Sequence, residues 1–551
     1  MIYAAVMASP RVFTREATGL VRAVSMWEAF FFNNWTAGGA WSSLLWISVY
    51  PIWFPKADII GALGITAIFA TFIGAVYALA LVAMPRSGCD YVFVSRTLPP
   101  AIGLAFSLNL VFWLLIINAW NVYVPFAFMS QTIFSVGAMI GSPGMISSWS
   151  AVLANPVYVV VLGVIIYMVA NLLVIFGMRK YMHGFQRVLN VVCLVAFALI
   201  IYYFTVYSNA DFIVRFNAYM SPTSGSADPY HDIIKLATSL GWVRSSGFDW
   251  NQTMAVAVLW WFITTWPMAS AWIGGEVKQA SNVKIQMVSM IGGSWFTLAL
   301  AGIFSFFWFR VFSREWLEAL GYIVNNYPSQ IPAWLSAASP YWGAAWVNFL
   351  VGNVPVALII SLAWFLQGIA VITPLVIAAS RHLFAWSFDR IVPSKLCEVS
   401  EHFSSPIPAV AIAGIVSIAG FIFTAYTTWI NFAVAGPLGD VLSLIIMSVA
   451  AIVFIWKRKD IYEMSQISKL KLAGIPVLPL VGLGSLVSLL IMVGYYFGPI
   501  NGLALGGVAV PVTGISLALF GVGIVGFYVA KYVRAKSGLD VNQAFAVIPP
   551  E

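Results

Sequence analysis

The sequence predicts an all-α integral membrane protein with twelve transmembrane helices. Of its 551 residues, 61% are apolar and only 8% are charged, whereas about a quarter of the residues in a soluble domain carry charge. The apolar residues form separate runs of roughly 20, the length that crosses a bilayer as a helix. An outer-membrane barrel would show short alternating segments instead. The lipid-facing fold is therefore predicted to be helical.

The predicted spans follow one another along nearly the whole chain. They begin near Leu20, Asp58, Ile102, Pro156, Phe185, Met254, Met287, Phe349, Ile407, Phe432, Ile475 and Leu505. The stretch 346–389 is long enough for two crossings, but only a single crossing keeps the basic cluster 457–459 on the side of the N-terminal arginines. That is the positive-inside pattern. We therefore expect a multi-pass protein of the plasma membrane with both termini in the cytoplasm.

This count divides the chain into two five-helix units with connecting segments. The segments are a cytoplasmic tail (1–19), a first repeat (20–207), an extracellular loop (208–250), a second repeat (251–456), a basic cytoplasmic loop (457–472), two further helices (473–530) and a C-terminal cytoplasmic tail (531–551). In the long loop 313–340, the apolar residues Trp316, Leu317, Leu320 and Ile323 have helical spacing. They predict a short surface helix that serves either as a lid or as a connector.

Several classes of function are disfavoured by the composition. The net charge of +8 is explained by basic loops in a membrane protein, so no nucleic acid partner is expected. The three cysteines are an odd number and imply no disulfide framework. The histidines lack metal-ligand spacing, and no metal or cofactor is predicted. An enzyme would need clustered catalytic residues at one interface, but the strongest signals, "GGEVK" and "SFDR", lie on different loops. The chain is not predicted to be an enzyme.

Two predicted helices are interrupted in the middle of the membrane. In the first, "FFNNWTAGGAW" (31–41) places asparagines, a threonine and glycines inside an apolar run, and these residues weaken a helix. In the sixth, Thr264, Thr265 and Pro267 interrupt the span, and an interior proline removes one helical hydrogen bond. Small and polar residues also serve tight helix packing, so a packing role is the alternative for both stretches.

The two interruptions hold matching positions in successive five-helix units. This pattern is typical of inverted-repeat transporters, whose substrate site lies at the midplane between broken helices. Freed N–H groups bind an anion there, and freed carbonyls bind a cation or an ammonium group. An amino acid zwitterion satisfies both, so a small amino acid or amine is the expected partner, in addition to the lipid bilayer.

Three motifs at the cytoplasmic ends resemble those of the amino acid-polyamine-organocation (APC) superfamily. They are "MPRSGCDYVFVSR" (84–96), "GGEVKQA" (274–280) and "SRHLFAWSFDRIVP" (380–393). The resemblance implies a core of five plus five inverted helices with interrupted helices 1 and 6, two peripheral helices, and secondary active transport of amino acids or related amines. A transporter-like membrane sensor and an organic-cation or polyamine exchanger are the alternatives.

The resemblance also implies which residues contact the substrate. They are Asn33, Asn34, Trp35 and Thr36 at the first break and Phe262, Ile263, Thr264, Thr265 and Trp266 at the second, with Phe262 as an aromatic gate. The family has a smaller residue where Trp266 stands. Either the substrate is therefore small, or the rings of Trp35 and Trp266 turn away and Gly38 and Gly39 allow the close backbone approach.

Two acidic residues are candidates for gating or coupling. Glu28 is expected eight residues into helix 1, where a carboxylate needs a partner, a proton or water; it is either a gating group or a locally paired one. Asp440, in the outer third of helix 10, is either an extracellular gate or a structural cap. Some relatives couple to protons through a lysine on helix 5, and none is present between Asn190 and Tyr203. Sodium, another proton carrier and exchange all remain open, as does the oligomeric state.

Overall fold

The computed structural model describes residues 19–36, 47–264, 266–336, 343–503, 507–546 and 548. Most of these residues are helical. In the first half the helices are α1 Met26–Thr36, α2 Tyr50–Trp53, α3 Ile59–Ala83, α4 Cys89–Thr97, α5 Pro100–Met139, α6 Pro143–Ala154, α7 Pro156–Ile175, α8 Met178–Val206, α9 Asn209–Ser224 and α10 Pro229–Ser239.

The second half continues the helical pattern. Its helices are α11 Trp250–Thr264, α12 Ala269–Trp272, α13 Val283–Val311, α14 Arg314–Asn326, α15 Ala333–Ser336, α16 Ala344–Val351, α17 Val354–Phe388, α18 Ile407–Ala425, α19 Ile430–Lys457, α20 Lys459–Met464, α21 Val477–Phe497, α22 Pro499–Leu503, α23 Ala509–Lys536 and α24 Asn542–Ala546. A two-stranded antiparallel hairpin, β1 Lys471–Leu472 and β2 Ile475–Pro476, precedes α21.

Ten helices in the described part of the chain are long and apolar enough to cross a membrane. They are α3, α5, α7, α8, α13, α17, α18, α19, α21 and α23, which correspond to predicted spans 2 to 5 and 7 to 12. The stretch 346–389 contributes one of them. The predicted spans 1 and 6 are not among the ten because their helical segments α1 and α11 have only 11 and 15 residues.

Helix α1 begins later than the sequence predicts. Residues 19–25 are not helical, and Val24 pairs with Val277 as an isolated parallel bridge. The physical reason is a capping box, in which Ser25 and Glu28 bind one another's backbone or side chain and so start the helix at Met26. Glu28 is therefore the third residue of the helix, and its expected depth of eight residues was wrong.

The surface helix predicted between residues 313 and 340 is present as α14. Its apolar face is buried, with Trp316, Leu317, Leu320 and Ile323 each at most 1% exposed. It packs against α10 and α2, and Tyr230 of α10 stacks on Trp316 at 5.2 Å between ring centroids. The two long loops therefore form one packed layer over this end of the bundle.

Candidate functional site

The sixth predicted helix is interrupted at the place that its sequence indicates. Helix α11 ends at Thr264, α12 begins at Ala269, and the residues from Trp266 to Met268 are not helical. Pro267 has no N–H to donate, so a continuous helix would lose a hydrogen bond here. Thr265 lies outside the described residues, and so do the side chains of Phe262, Ile263 and Thr264.

The first predicted helix is not interrupted at its asparagines. Helix α1 is regular through Asn33, Asn34, Trp35 and Thr36, so the expected break does not fall within these four residues. The asparagine side chains bond to other helices instead of competing for their own backbone, and the Thr36 hydroxyl donates to the Phe32 carbonyl at 2.6 Å. Residues 37–46, including Gly38 and Gly39, lie outside the described part of the chain.

Asn33 joins α1 to the half-helix that follows the interruption. Its Oδ1 accepts the backbone N–H of Ser270 at 2.8 Å, and its Nδ2 donates to the Ser270 hydroxyl and to the Ser289 carbonyl, each at 2.9 Å. Ser270 lies in the first turn of α12, where N–H groups have no partner within the helix. Asn33 supplies one, and so fixes the distance between α1, α12 and α13.

Asn34 differs from its neighbour because half of its amide is unused. Its Oδ1 accepts a hydrogen bond from the Thr297 hydroxyl of α13. Its Nδ2 is buried and has no partner among the described residues. A buried donor without a partner is costly in a closed protein interior. Among the described site residues, Asn34 is thus the one with an unused hydrogen-bond donor.

Both indoles of the predicted site are buried. Trp35 directs its Nε1 to the Oδ1 of Asn190 on α8, and its carbonyl accepts from Gln367 of α17 at 3.2 Å. Trp266 is 5% exposed, and its ring lies 6.2 Å from that of Trp272 on α12. The Trp35 ring therefore faces α8, and the choice between a small substrate and rings that turn away stays open.

Glu28 is paired locally with the start of α8. Its Oε1 lies 3.1 Å from Nε2 of His183 and 3.2 Å from the Arg187 guanidinium, and its carbonyl accepts from Gln186 at 2.8 Å. With the cap to Ser25, this accounts for both carboxylate oxygens. The geometry fits the locally paired interpretation, and a gating role stays a prediction.

Asp440 lies in the middle of α19 and is 1% exposed. Neither carboxyl oxygen has a hydrogen-bond partner among the described residues. Helix α19 packs against α3, α5, α21 and α23, and Tyr77 and Tyr496 lie within electrostatic range of the carboxyl group. Its role as a gate also stays a prediction.

The three sequence motifs meet in one place, which the sequence analysis missed when it assigned their charges to separate loops. The residues that meet, called here the motif cluster, are Gly88, Asp90, Arg96, Trp272, Glu276, Arg381, His382 and Asp389. Every member except Gly88 is at most 6% exposed. The three motifs carry opposite charges and were expected on the same side of the membrane. That combination is the signal that could have predicted the cluster.

Three ion pairs hold the motif cluster together, and each has one partner on α17 or just after it. Arg96 binds Asp389 through two bonds of 2.6 and 2.7 Å. Arg381 binds Oε1 of Glu276 at 2.8 and 2.9 Å. His382 lies 3.0 Å from Oδ1 of Asp90. In each pair, both side chains are at most 2% exposed.

Glycines allow the motifs to approach closely. Gly88 has a φ of +62° and donates its N–H to the Trp272 carbonyl at 2.9 Å. A Cβ on Gly274 would lie 2.2 Å from a methyl group of Leu81 and 2.7 Å from the Arg86 carbonyl oxygen. The loop between α3 and α4 and the segment after α12 therefore form one packed unit.

The C-terminal segment covers part of this cluster. The guanidinium of Arg96 donates to the Ala544 carbonyl at 3.3 Å and lies 4.9 Å from the centre of the Phe545 ring. Both α24 residues are buried. The segment after α23 is thus part of the packed structure.

Comparisons with known proteins agree with this architecture. The family model described as amino acid permease matches residues 25–527. Among solved structures, the chain is similar to the crystal structure of MhsT in complex with L-phenylalanine, with a TM-score of 0.53 and 14% identity over 85% of this chain and 98% of that one. At that identity the likeness concerns the fold. No match was found among curated proteins.

The family match spans α1, the interruption between α11 and α12, all ten long helices up to residue 527 and the whole motif cluster except its C-terminal cover. It confirms the APC resemblance. It also identifies a multi-pass membrane transporter rather than an enzyme. The chain belongs to the amino acid permease family.

Proposed function

We propose that this permease is a secondary active transporter that carries amino acids or related small amines across the plasma membrane by alternating access, with both termini in the cytoplasm. The observation that carries the proposal is the interruption between α11 and α12, which lies beside α1 and is joined to it by Asn33. At such a break, peptide N–H and carbonyl groups that are not hydrogen-bonded within a helix can bind the charged ends of a small zwitterion.

The substrate is proposed to lie between the break and the end of α1. Phe262 to Trp266 would form one wall, and Asn34 to Gly39 the other. Asn33 would position the walls, since its amide is already occupied by Ser270 and Ser289. Asn34 offers its free Nδ2 to the substrate. The L-phenylalanine named for the MhsT complex supports an amino acid as the substrate class.

Reconstituted protein tests the proposal directly. Liposomes preloaded with one unlabelled amino acid or amine at a time should take up the same labelled compound by exchange, without any ion gradient. Compounds that exchange should also raise the melting temperature of the purified protein, because a ligand stabilises the state it binds. Stabilisation without exchange for every compound would favour a sensor over a transporter. Neither effect with any compound would refute the proposed substrate class.

A pair of variants tests the proposed role of Asn34. Asn34→Ala removes the free donor together with the contact to Thr297, whereas Thr297→Val removes only that contact. We expect Asn34→Ala to raise the KM for exchange by about tenfold, the equivalent of one hydrogen bond to a charged group, and Thr297→Val to change it little. Equal effects of the two variants would assign Asn34 a structural role only.

A further inference from the structure

Asp90 and His382 form a buried pair whose hydrogen-bond geometry defines where protons lie. Both side chains are completely buried, and Nε2 of His382 lies 3.0 Å from Oδ1 of Asp90. The other ring nitrogen, Nδ1, lies 2.8 Å from the Ala378 carbonyl oxygen. A carbonyl oxygen only accepts hydrogen bonds, so Nδ1 must carry a hydrogen.

Both carboxyl oxygens of Asp90 accept hydrogen bonds from neighbouring groups. Its Oδ1 accepts the backbone N–H of Tyr91 at 2.9 Å, and its Oδ2 accepts the indole N–H of Trp272 at 3.2 Å. Both neighbours are donors. With Nδ1 already protonated, Nε2 faces this carboxylate favourably only if it also carries a proton, because a lone pair there would repel the oxygen. The pair therefore holds one exchangeable proton, on the imidazole of His382.

That proton lies where three helices of the proposed transporter meet. His382 belongs to α17, Asp90 to the first turn of α4, and Trp272 to the half-helix α12 after the break. Trp272 in turn contacts the ring of Trp266 at the proposed substrate wall. Loss of the proton would turn an attraction into a repulsion where water is excluded, and so would loosen α17 from α4 and α12.

We propose that the Asp90–His382 pair is the binding site for a proton that is carried with the substrate. This inference rests on the proposed function and specifies its coupling ion. The proton binds from the outside with the substrate, as an N–H bond at Nε2. It leaves to the cytoplasm when α17 separates from α4, and the empty transporter returns with neutral His382.

The titratable and charged groups around the pair leave this assignment intact. Tyr77 of α3 lies within electrostatic range of Asp90 and of Asp440 on α19. Beside His382, the charge of Arg381 is compensated by Glu276. Helices α5, α7 and α18 also pack against α17 and contain no charged residue. The turn Ser394–Cys397 packs against the last part of α17 and carries the exposed Lys395. Helices α1 and α8, with Glu28 and Arg187, pack against its first part, 354–370, away from His382. The Arg96–Asp389 pair is internally neutral.

The test compares exchange with proton-driven accumulation in proteoliposomes, using whichever amino acid exchanges best. With an inside-alkaline gradient of one pH unit, one proton per substrate should give about tenfold accumulation, since one pH unit is worth a factor of ten. The double variant Asp90→Asn with His382→Gln replaces the pair by two amides of similar shape that cannot titrate. It should keep exchange and lose accumulation. His402→Gln, at an exposed histidine, is the matched control and should behave as wild type.

Two outcomes would overturn the inference and leave the proposed function standing. They are exchange by wild type without any accumulation under the pH gradient, and full accumulation by the double variant. Absence of exchange by wild type would instead refute the proposed function itself.

A second measurement needs no change at the pair. The chain has four histidines, so the triple variant His183→Gln, His231→Gln and His402→Gln leaves His382 as the sole source of histidine signals. Nitrogen NMR of ¹⁵N-histidine protein saturated with the amino acid that exchanges best, at pH 7, should show an imidazolium with both nitrogens protonated. A neutral imidazole would overturn the inference even if the double variant failed to fold.

Discussion

Asn33 binds Ser270 through both the backbone N–H and the hydroxyl group, across a sequence separation of 237 residues. The contact joins α1 to the first turn of α12, so the interruption of the sixth helix is held by a side chain of the first. Asn33→Ala would leave the Ser270 N–H buried without this partner. We expect it to lower the free energy of unfolding by about 1 to 3 kcal/mol and to reduce exchange, measured by thermal unfolding and by uptake into liposomes.

The control for this prediction is Asn118→Ala. Asn118 is equally buried, but its amide makes one long contact of 3.3 Å, to Ser417. The same truncation should therefore cost less stability there. A loss at Asn118 as large as that at Asn33 would show that the cavity, and not the link to Ser270, determines the effect.

Arg381 and Glu276 should be mutually dependent, because both are buried and bonded to one another. Removing one partner from a buried ion pair costs about 3 to 5 kcal/mol, since the remaining charge is left without compensation. Glu276→Gln or Arg381→Met alone should therefore destabilise strongly, whereas the two together should recover part of the loss. A double-mutant cycle on thermal unfolding measures this, and additive losses would contradict the prediction.

The two roles of Glu28 can be separated by two substitutions. Glutamine also works at the third position of a capping box, so Glu28→Gln should lose only the contacts with His183 and the exposed Arg187, which are worth about 0 to 1 kcal/mol. Glu28→Ala should lose the cap as well and unfold at a lower temperature. If Glu28 gates transport, Glu28→Gln will also change the pH dependence of uptake, and an unchanged profile would remove that role.

Gly274 is required for the close approach of the motifs. A methyl group there would overlap Leu81 and the Arg86 backbone, so Gly274→Ala should cost on the order of 1 to 3 kcal/mol through overpacking. Gly64, on α3, has open space around the same position. Gly64→Ala should leave stability unchanged or raise it by about 0.5 to 1 kcal/mol. Equal losses at both glycines would argue against the overlap as the cause.

Local chemistry explains which elements could be predicted from the sequence. The break near Pro267 was predictable because a missing N–H acts within one turn of its own helix. The late start of α1 was not predicted because the apolar run begins at Leu20, whereas the capping residues Ser25 and Glu28 determine where the helix starts. The asparagines of α1 weaken a helix in isolation, but the tertiary bonds of Asn33 reverse their effect.

The motif cluster could not be derived in this way. Its ion pairs join residues that are 105 and 293 positions apart, Glu276 with Arg381 and Arg96 with Asp389. A charge in a loop gives no indication of its partner when the intervening helices cross the membrane several times. The resemblance identified the three motifs separately. Only the fold shows that their residues contact one another.

Asp211 provides a pH-dependent prediction outside the membrane. It lies in the first turn of α9, where hydrogen bonds from the Ser208 hydroxyl and backbone N–H lower the pKa of its carboxyl group. A carboxyl group with a lowered folded pKa stabilises the fold above its unfolded pKa of about 3.9, and this contribution is lost as the pH falls through the folded value. The melting temperature of wild type should therefore fall on acidification below about pH 4 more steeply than that of Asp211→Asn. Ser208→Ala keeps the carboxylate but removes the hydroxyl donor, so it should flatten the same part of the curve. Identical curves for all three proteins between neutral and acid pH would show that this cap contributes nothing to the stability of the loop.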